Sequence, residues 1–165
     1  MGNQIITILA EPLFYIKVLY KSFSLDGIFY LQTFIGRLGW LDTPLPLWVY
    51  FSSYEILAIY TIVYEKGGEK FQIKLFSRVV MTIAFIIGVV LVLTSSYISW
   101  TPVGYPKVAG IQGRYFIPLA PFLFFSLHKI LPASIPKIYL RFFASAHTIL
   151  ILGIIVKTLL IRYYD

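Results

Sequence analysis

The sequence predicts an all-α integral membrane protein of about four transmembrane helices, with one or two interfacial amphipathic helices on the N-terminal side. Three observations carry this. Hydrophobic residues make up 59 % of the 165 and charged residues 13 %, where a soluble domain has about 25 % charged and about 45–50 % apolar residues. Mean hydropathy is +0.82. Residues 44–64, 79–98, 114–131 and 138–161 each approach the roughly 20 mostly apolar residues that cross a ~30 Å hydrocarbon core. With residues 1–43 as an interfacial arm, these spans use the whole length as one membrane domain, 1–165, with no room for a separate soluble domain.

The arm begins with an apolar stretch, Ile5 to Tyr20, broken by Glu11, Pro12 and Lys17. It is short for a span and reads as interfacial, with Pro12 in the first turn of a helix running toward Lys21. No Lys or Arg precedes Lys17, so the basic region of a cleavable signal peptide is missing and the first span is expected to direct insertion. Ile28, Leu31, Phe34, Ile35 and Leu38 recur at helical spacing with Asp26, Gln32 and Arg37 around them, which predicts an amphipathic helix from Ser24 to Leu38 in the headgroup layer. Gly39 is expected to end it. Thr43 is placed to cap the next helix and Pro44 to take its first position, where a missing N–H costs nothing.

The formal charge is +7. Its Lys and Arg residues lie in short loops beside apolar spans, where topology and anionic lipid account for them, so nucleic acid is not an expected partner. The 65–78 and 129–141 loops hold seven basic residues, against four in Lys107, Arg114, Lys157 and Arg162. This bias places the first two loops in the cytoplasm and the 99–114 loop outside. Lys17, Lys21 and Arg37 would erase the excess if the arm were counted. The chain has no Cys, which excludes disulfides, thiolate metal sites and a Cys nucleophile. His128 and His147 are its only histidines; with no Walker loop, H-E-x-x-H or G-x-S-x-G, no metal or cofactor is expected.

The candidate chemistry is concentrated in Gly110-Ile111-Gln112-Gly113-Arg114-Tyr115-Phe116-Ile117-Pro118-Leu119-Ala120-Pro121. Nothing in that apolar company requires an Arg. Glycines permit a tight turn, a helix start offers unpaired N–H groups, and the guanidinium adds five donors. Gln112, Gly113 and Arg114 therefore make a candidate site for an anion or lipid phosphate, in competition with an Arg that snorkels to headgroups. Trp100, Thr101, Pro102, Val103, Gly104, Tyr105 and Pro106 form a stiff aromatic loop, which suits either stacking on a sugar or an interfacial belt. Pro118 and Pro121 should kink or loosen the third span.

Glu55 falls about eleven residues into the first span, roughly 16 Å deep, and His147 reaches a similar depth from the opposite side. An unpaired charge there is costly, so a Glu55–His147 pair is expected, with Ser95 or Ser96 as substitute partners. It would be either a packing pair or a proton or ligand site. Asp26 and Asp42 are the exposed loop carboxylates that could act as a base; a cap or plain loop role competes for Asp42.

The string G-x-Q-G-R-Y-F-x-P-L-x-P, with the upstream run Leu38-Gly39-Trp40-Leu41-Asp42-Thr43-Pro44-Leu45-Pro46, resembles the bacterial multi-pass membrane proteins of domain of unknown function family 2142, from about Leu25 to Leu159. The family has no established reaction. Its members are longer, so the resemblance implies a truncated or C-terminal family member in the bacterial plasma membrane. It is distantly similar to polytopic glycosyltransferases with polyprenyl-phosphate donors, whose catalytic carboxylates lie in the N-terminal half. This implies the lipid-donor-binding or scaffold half of such a protein in surface polysaccharide assembly, not catalytic alone, with membrane lipid or a polyprenyl-phosphate-linked sugar as ligand. A complementary N-terminal half or a second copy would be its partner. The alternatives are a non-catalytic transport or interaction subunit and a degenerate fragment.

Overall fold

A computed structural model describes residues 2–66, 73–130 and 134–164. Its helices are α1 (Gly2–Ala10), α2 (Pro12–Ile35), α3 (Leu47–Ile62), α4 (Leu75–Trp100), a 3-10 helix (Gly113–Leu119), α5 (Ala120–Ser126) and α6 (Lys137–Tyr164). Two short pairings complete it. β1 (Arg37–Leu38) runs antiparallel to β2 (Thr43–Pro44), and β3 (Tyr64–Lys66) runs parallel to β4 (Ser134–Pro136). Gly67, Gly68, Glu69 and Lys70 of the basic loop, and Leu131 at the expected end of the third span, lie outside the described residues.

Two helices, α4 and α6, are long and apolar enough to cross a membrane. Both are rich in Ile, Leu, Val and Phe, and little of the apolar stretch of either is covered by the rest of the chain. Apolar exposure on that scale exceeds what a soluble monomer tolerates and suits a lipid-facing surface. The other two expected spans are shorter. The 16 residues of α3 reach only about 24 Å at ~1.5 Å per residue. The third is broken: Pro118 lies inside the 3-10 helix, and only seven residues of α5 follow. Pro118 and Pro121 supply no N–H, so an unbroken α-helical ladder cannot run through them.

The chain divides into two compact units, Met1–Ile35 with Thr82–Pro121, and Gly36–Met81 with Phe122–Asp165. The first is organised around α2. Pro12 starts this helix, as its missing donor requires, after a break at Glu11. It continues to Ile35 as a single helix, where a short interfacial piece and a second helix ending at Gly39 were expected. Part of its polar surface turns inward: Ser22 (0 % exposed), Tyr30 and Thr33 are buried, whereas Ile28 (75 %) and Leu31 (55 %), of the apolar stripe expected in the headgroup layer, are exposed. The inward face joins Tyr15 and Val18 to Leu93 and Tyr97 of α4 and to Val108 and Ile111 of the following loop. In a membrane this arrangement is economical, because lipid accepts the apolar face while the protein satisfies the polar one.

In the second unit α3 and α6 run side by side in opposite directions. Tyr60 donates to the Leu140 carbonyl at 2.7 Å, His147 meets Ser52 at 2.9 Å, and Arg162 binds Asp42 and Thr43. Thr43 and Pro44 do not start α3, since they are spent on the strand pairing with Leu38 and Arg37. The helix begins after Pro46, with no side-chain cap. Tyr50 secures this entry by accepting from Leu45 N–H and donating to the Gly36 carbonyl.

Candidate functional site

The 101–113 loop is fixed by hydroxyl groups on helices and within the loop itself. On α2, Ser22 and Thr33 each donate to the carbonyl four residues back, Val18 and Phe29, and their free lone pairs accept loop N–H groups. Ser22 takes Val108 N–H at 2.8 Å and Thr33 takes Gly113 N–H at 2.6 Å. Thr101 accepts from Ala109 N–H, Ser96 donates to the Ala109 carbonyl, and Gln4 of α1 donates to the Thr101 carbonyl. Lys107 closes the set with a two-pronged ion pair to Asp26, both contacts at 2.9 Å. A loop crossing a membrane protein must satisfy its N–H and C=O groups internally, and this one largely does so.

The two glycines of the motif do different work. Gly110 sits at φ 76°, the left-handed conformation that costs a residue with a Cβ about 1–2 kcal/mol. Gly113 allows close approach instead: a Cβ there would lie 1.8 Å from the Tyr30 carbonyl oxygen and 2.5 Å from Phe34 N, both backbone atoms of α2.

The loop and α4 enclose an open groove of about 730 Å³, whose lining includes Ser95, Ser99 and Trp100 of α4 with Gln112 and Tyr115. Ser95 and Ser99, four residues apart, share a face of the helix. The Gln112 carboxamide oxygen has no hydrogen-bond donor among the described residues. Arg114 is exposed, lies between groove residues 112 and 115, and has no ion pair among the described residues. The backbone adds less to this site than expected. Gly113 N–H is taken by Thr33 and Tyr115 N–H by the Gln112 carbonyl, so most of the donors of a helix start are already used.

The intramembrane pair is different from the expected one. His147 Nε2 lies 2.9 Å from Ser52 Oγ, and Ser52 donates to the Val49 carbonyl, which makes the histidine the donor of the shared bond. Glu55 is exposed and has no hydrogen-bond partner among the described residues. Of the suggested substitute partners, Ser96 is committed to Ala109 and Ser95 lines the groove.

Neither carboxylate candidate is a free loop acid. Asp26 is in the middle of α2, paired with Lys107. Asp42 is paired with Arg162. Asp42 is exposed; the slight desolvation by its neighbours opposes ionisation, but hydrogen bonds from Arg162 and from the local backbone hold its carboxyl below the usual carboxylate range. Sequence reasoning missed Ser22 and Thr33, although a signal was present. Ser22, Asp26, Tyr30 and Thr33 recur at helical spacing as a polar stripe, and all four turn inward.

The family model described as "Predicted membrane protein (DUF2142)" matches residues 1–123. The chain belongs to this family. The match takes in α1 and the first half of α2, which the expected extent from Leu25 left out, together with the whole groove, and it ends before α6, short of the expected Leu159. No curated protein and no solved structure matches this DUF2142 chain.

Proposed function

We propose that this DUF2142 chain is the lipid-donor-binding or scaffold half of a polyprenyl-phosphate-dependent, glycosyltransferase-like protein of surface polysaccharide assembly, in a multi-pass position in the bacterial plasma membrane. The observation that carries this is the groove. Serine hydroxyls and Trp100 line it, the Gln112 oxygen lacks a donor among the described residues, and Arg114, exposed and without an ion pair among the described residues, falls in the chain between the groove residues Gln112 and Tyr115, on a loop already held in place. A polyprenyl-phosphate head offers what these groups take. Its phosphate suits the planar fork of Arg114, its sugar hydroxyls suit Ser95, Ser99 and Gln112, and a sugar face suits Trp100. A held loop means little ordering cost on binding.

A binding role also fits the carboxylates, since Asp26 and Asp42 are both engaged in ion pairs and neither is poised as a base. A transport path through Glu55 and His147 has no comparable support, because the two are not joined. The test is the anionic lipid that co-purifies with the protein, read by native mass spectrometry. Arg114→Ala should lose most of it, and Arg114→Lys should lose nearly as much, because an ammonium cannot reproduce the two-pronged geometry. Unchanged lipid in both variants would leave Arg114 as a snorkelling anchor and end the proposal.

A further inference from the structure

Two side chains of opposite charge in the unit formed by Gly36–Met81 and Phe122–Asp165 stand at nearly the same depth without meeting. Glu55 lies on α3 and Arg141 on α6; both are exposed, and neither has an ion pair or a hydrogen bond among the described residues. The contacts between the two helices set their heights. Ser52 is opposite His147 and Tyr60 is opposite the Leu140 carbonyl, so Glu55 falls between these contacts and Arg141 stands next to the second. At ~1.5 Å per residue the two levels differ by about 6 Å. A long Arg side chain covers that difference, since its stem can run along apolar surface while its head seeks a polar group.

Glu55 is set in an apolar face. Trp48, Phe51, Glu55 and Ala58 recur at three- and four-residue spacing on α3, and all four are exposed. The side chains that hold α6, Ser52 and Tyr60, are not among them. Lipid tails offer a carboxylate no hydrogen-bond donor, and a bare charge within the apolar layer is costly. Whatever covers this face must therefore bring a cation at the depth of Glu55. This chain carries such a cation in Arg141. Rotating a copy about the membrane normal leaves depth unchanged, so Arg141 of a neighbouring copy arrives at the level of Glu55. In a closed cyclic assembly every copy gives one carboxylate and takes one guanidinium, and no charge is left over. The planar fork of Arg suits a carboxylate in the two-pronged form, the strong form of this pair.

We propose that the face of α3 formed by Trp48, Phe51, Glu55 and Ala58 docks a second copy of this chain, with Glu55 of one copy ion-paired to Arg141 of the next. None of these residues belongs to the groove beside Gln112. The test uses the full chain carrying a donor or an acceptor fluorophore at its C-terminus, reconstituted in phosphatidylcholine vesicles over a range of protein-to-lipid ratios. Energy transfer between copies should rise with density and saturate. Glu55→Gln and Arg141→Gln should each raise the half-saturation density about tenfold or more, and the double variant should raise it no further than the larger single, because both remove one contact. Both replacements fall on exposed side chains, so neither disturbs a core. Lys157→Gln, which removes another exposed cation of α6, should leave association unchanged. A wild-type chain that stays monomeric at every density, association indifferent to both replacements, single effects that multiply in the double variant, or an equal loss in Lys157→Gln would overturn the proposal.

Discussion

Replacing Gly113 with Ala tests how the candidate loop is seated on α2. The added Cβ would stand 1.8 Å from the Tyr30 oxygen, and an ordinary contact begins at 3.4 Å, so the 3-10 helix must retreat by about 1.6 Å from a backbone that cannot rotate away. That retreat would stretch the 2.6 Å bond from Gly113 N–H to Thr33 beyond the ~3.5 Å limit of hydrogen bonding. Overpacking costs about 1–3 kcal/mol and an orphaned buried N–H about 1–3 kcal/mol, so the variant should lose roughly 2–6 kcal/mol. Thr33→Ser, which keeps the hydroxyl, serves as control and should lose less. The assay is unfolding in detergent micelles followed by tyrosine and tryptophan fluorescence. A Gly113→Ala protein within about 0.5 kcal/mol of wild type would refute the close seating of the loop on α2.

Three further outcomes are expected. In a double-mutant cycle, Ser52→Ala and His147→Ala should couple by about 0.5–1.5 kcal/mol, whereas Glu55→Gln should be additive with His147→Ala; coupling of the second pair in place of the first would reverse the assignment. His128 has a folded-state pKa below its ordinary 6.5, so the unfolded chain binds its proton more readily. Stability should therefore be full above about pH 6.5 and fall as the pH drops through the interval down to the folded value, a slope that His128→Gln removes. A reporter fused after Lys70 should behave as cytoplasmic and one after Lys107 as external; the opposite pattern would invert the topology drawn from the loop charges.

The helical, membrane-embedded character of the chain was legible because α4 and α6 are long and apolar enough to cross a membrane, with no proline inside either. Pro12 also marked its helix start correctly. The direction of α2 was not legible. A helical period separates two faces equally well in water and in lipid, but which face turns inward depends on the solvent. Ile28 and Leu31, read as the apolar face of a helix in the headgroup layer, are exposed, and what the period did not show is that Ser22 and Thr33 take buried positions within the protein. At Gly113 the sequence marked a special backbone position but not its cause, which is the approach of a helix distant in the chain. Counting depth placed His147 level with the middle of α3. It could not choose among the polar residues near that level, and the histidine meets Ser52 while Glu55 stays exposed. The expected third span was called on apolarity, and Pro118 with Pro121 set its length.

The central claim is that the groove beside Gln112 and Arg114 receives the head of a phosphate-bearing lipid. Photo-crosslinking with a polyprenyl-phosphate analogue carrying a diazirine near its head, followed by peptide mapping, tests this most directly. The account predicts adducts concentrated in residues 91–100 and 110–115, displaced by unlabelled polyprenyl phosphate and strongly reduced by Arg114→Ala. Adducts scattered along the lipid-facing sides of α4 and α6, equal in wild type and Arg114→Ala, would contradict it.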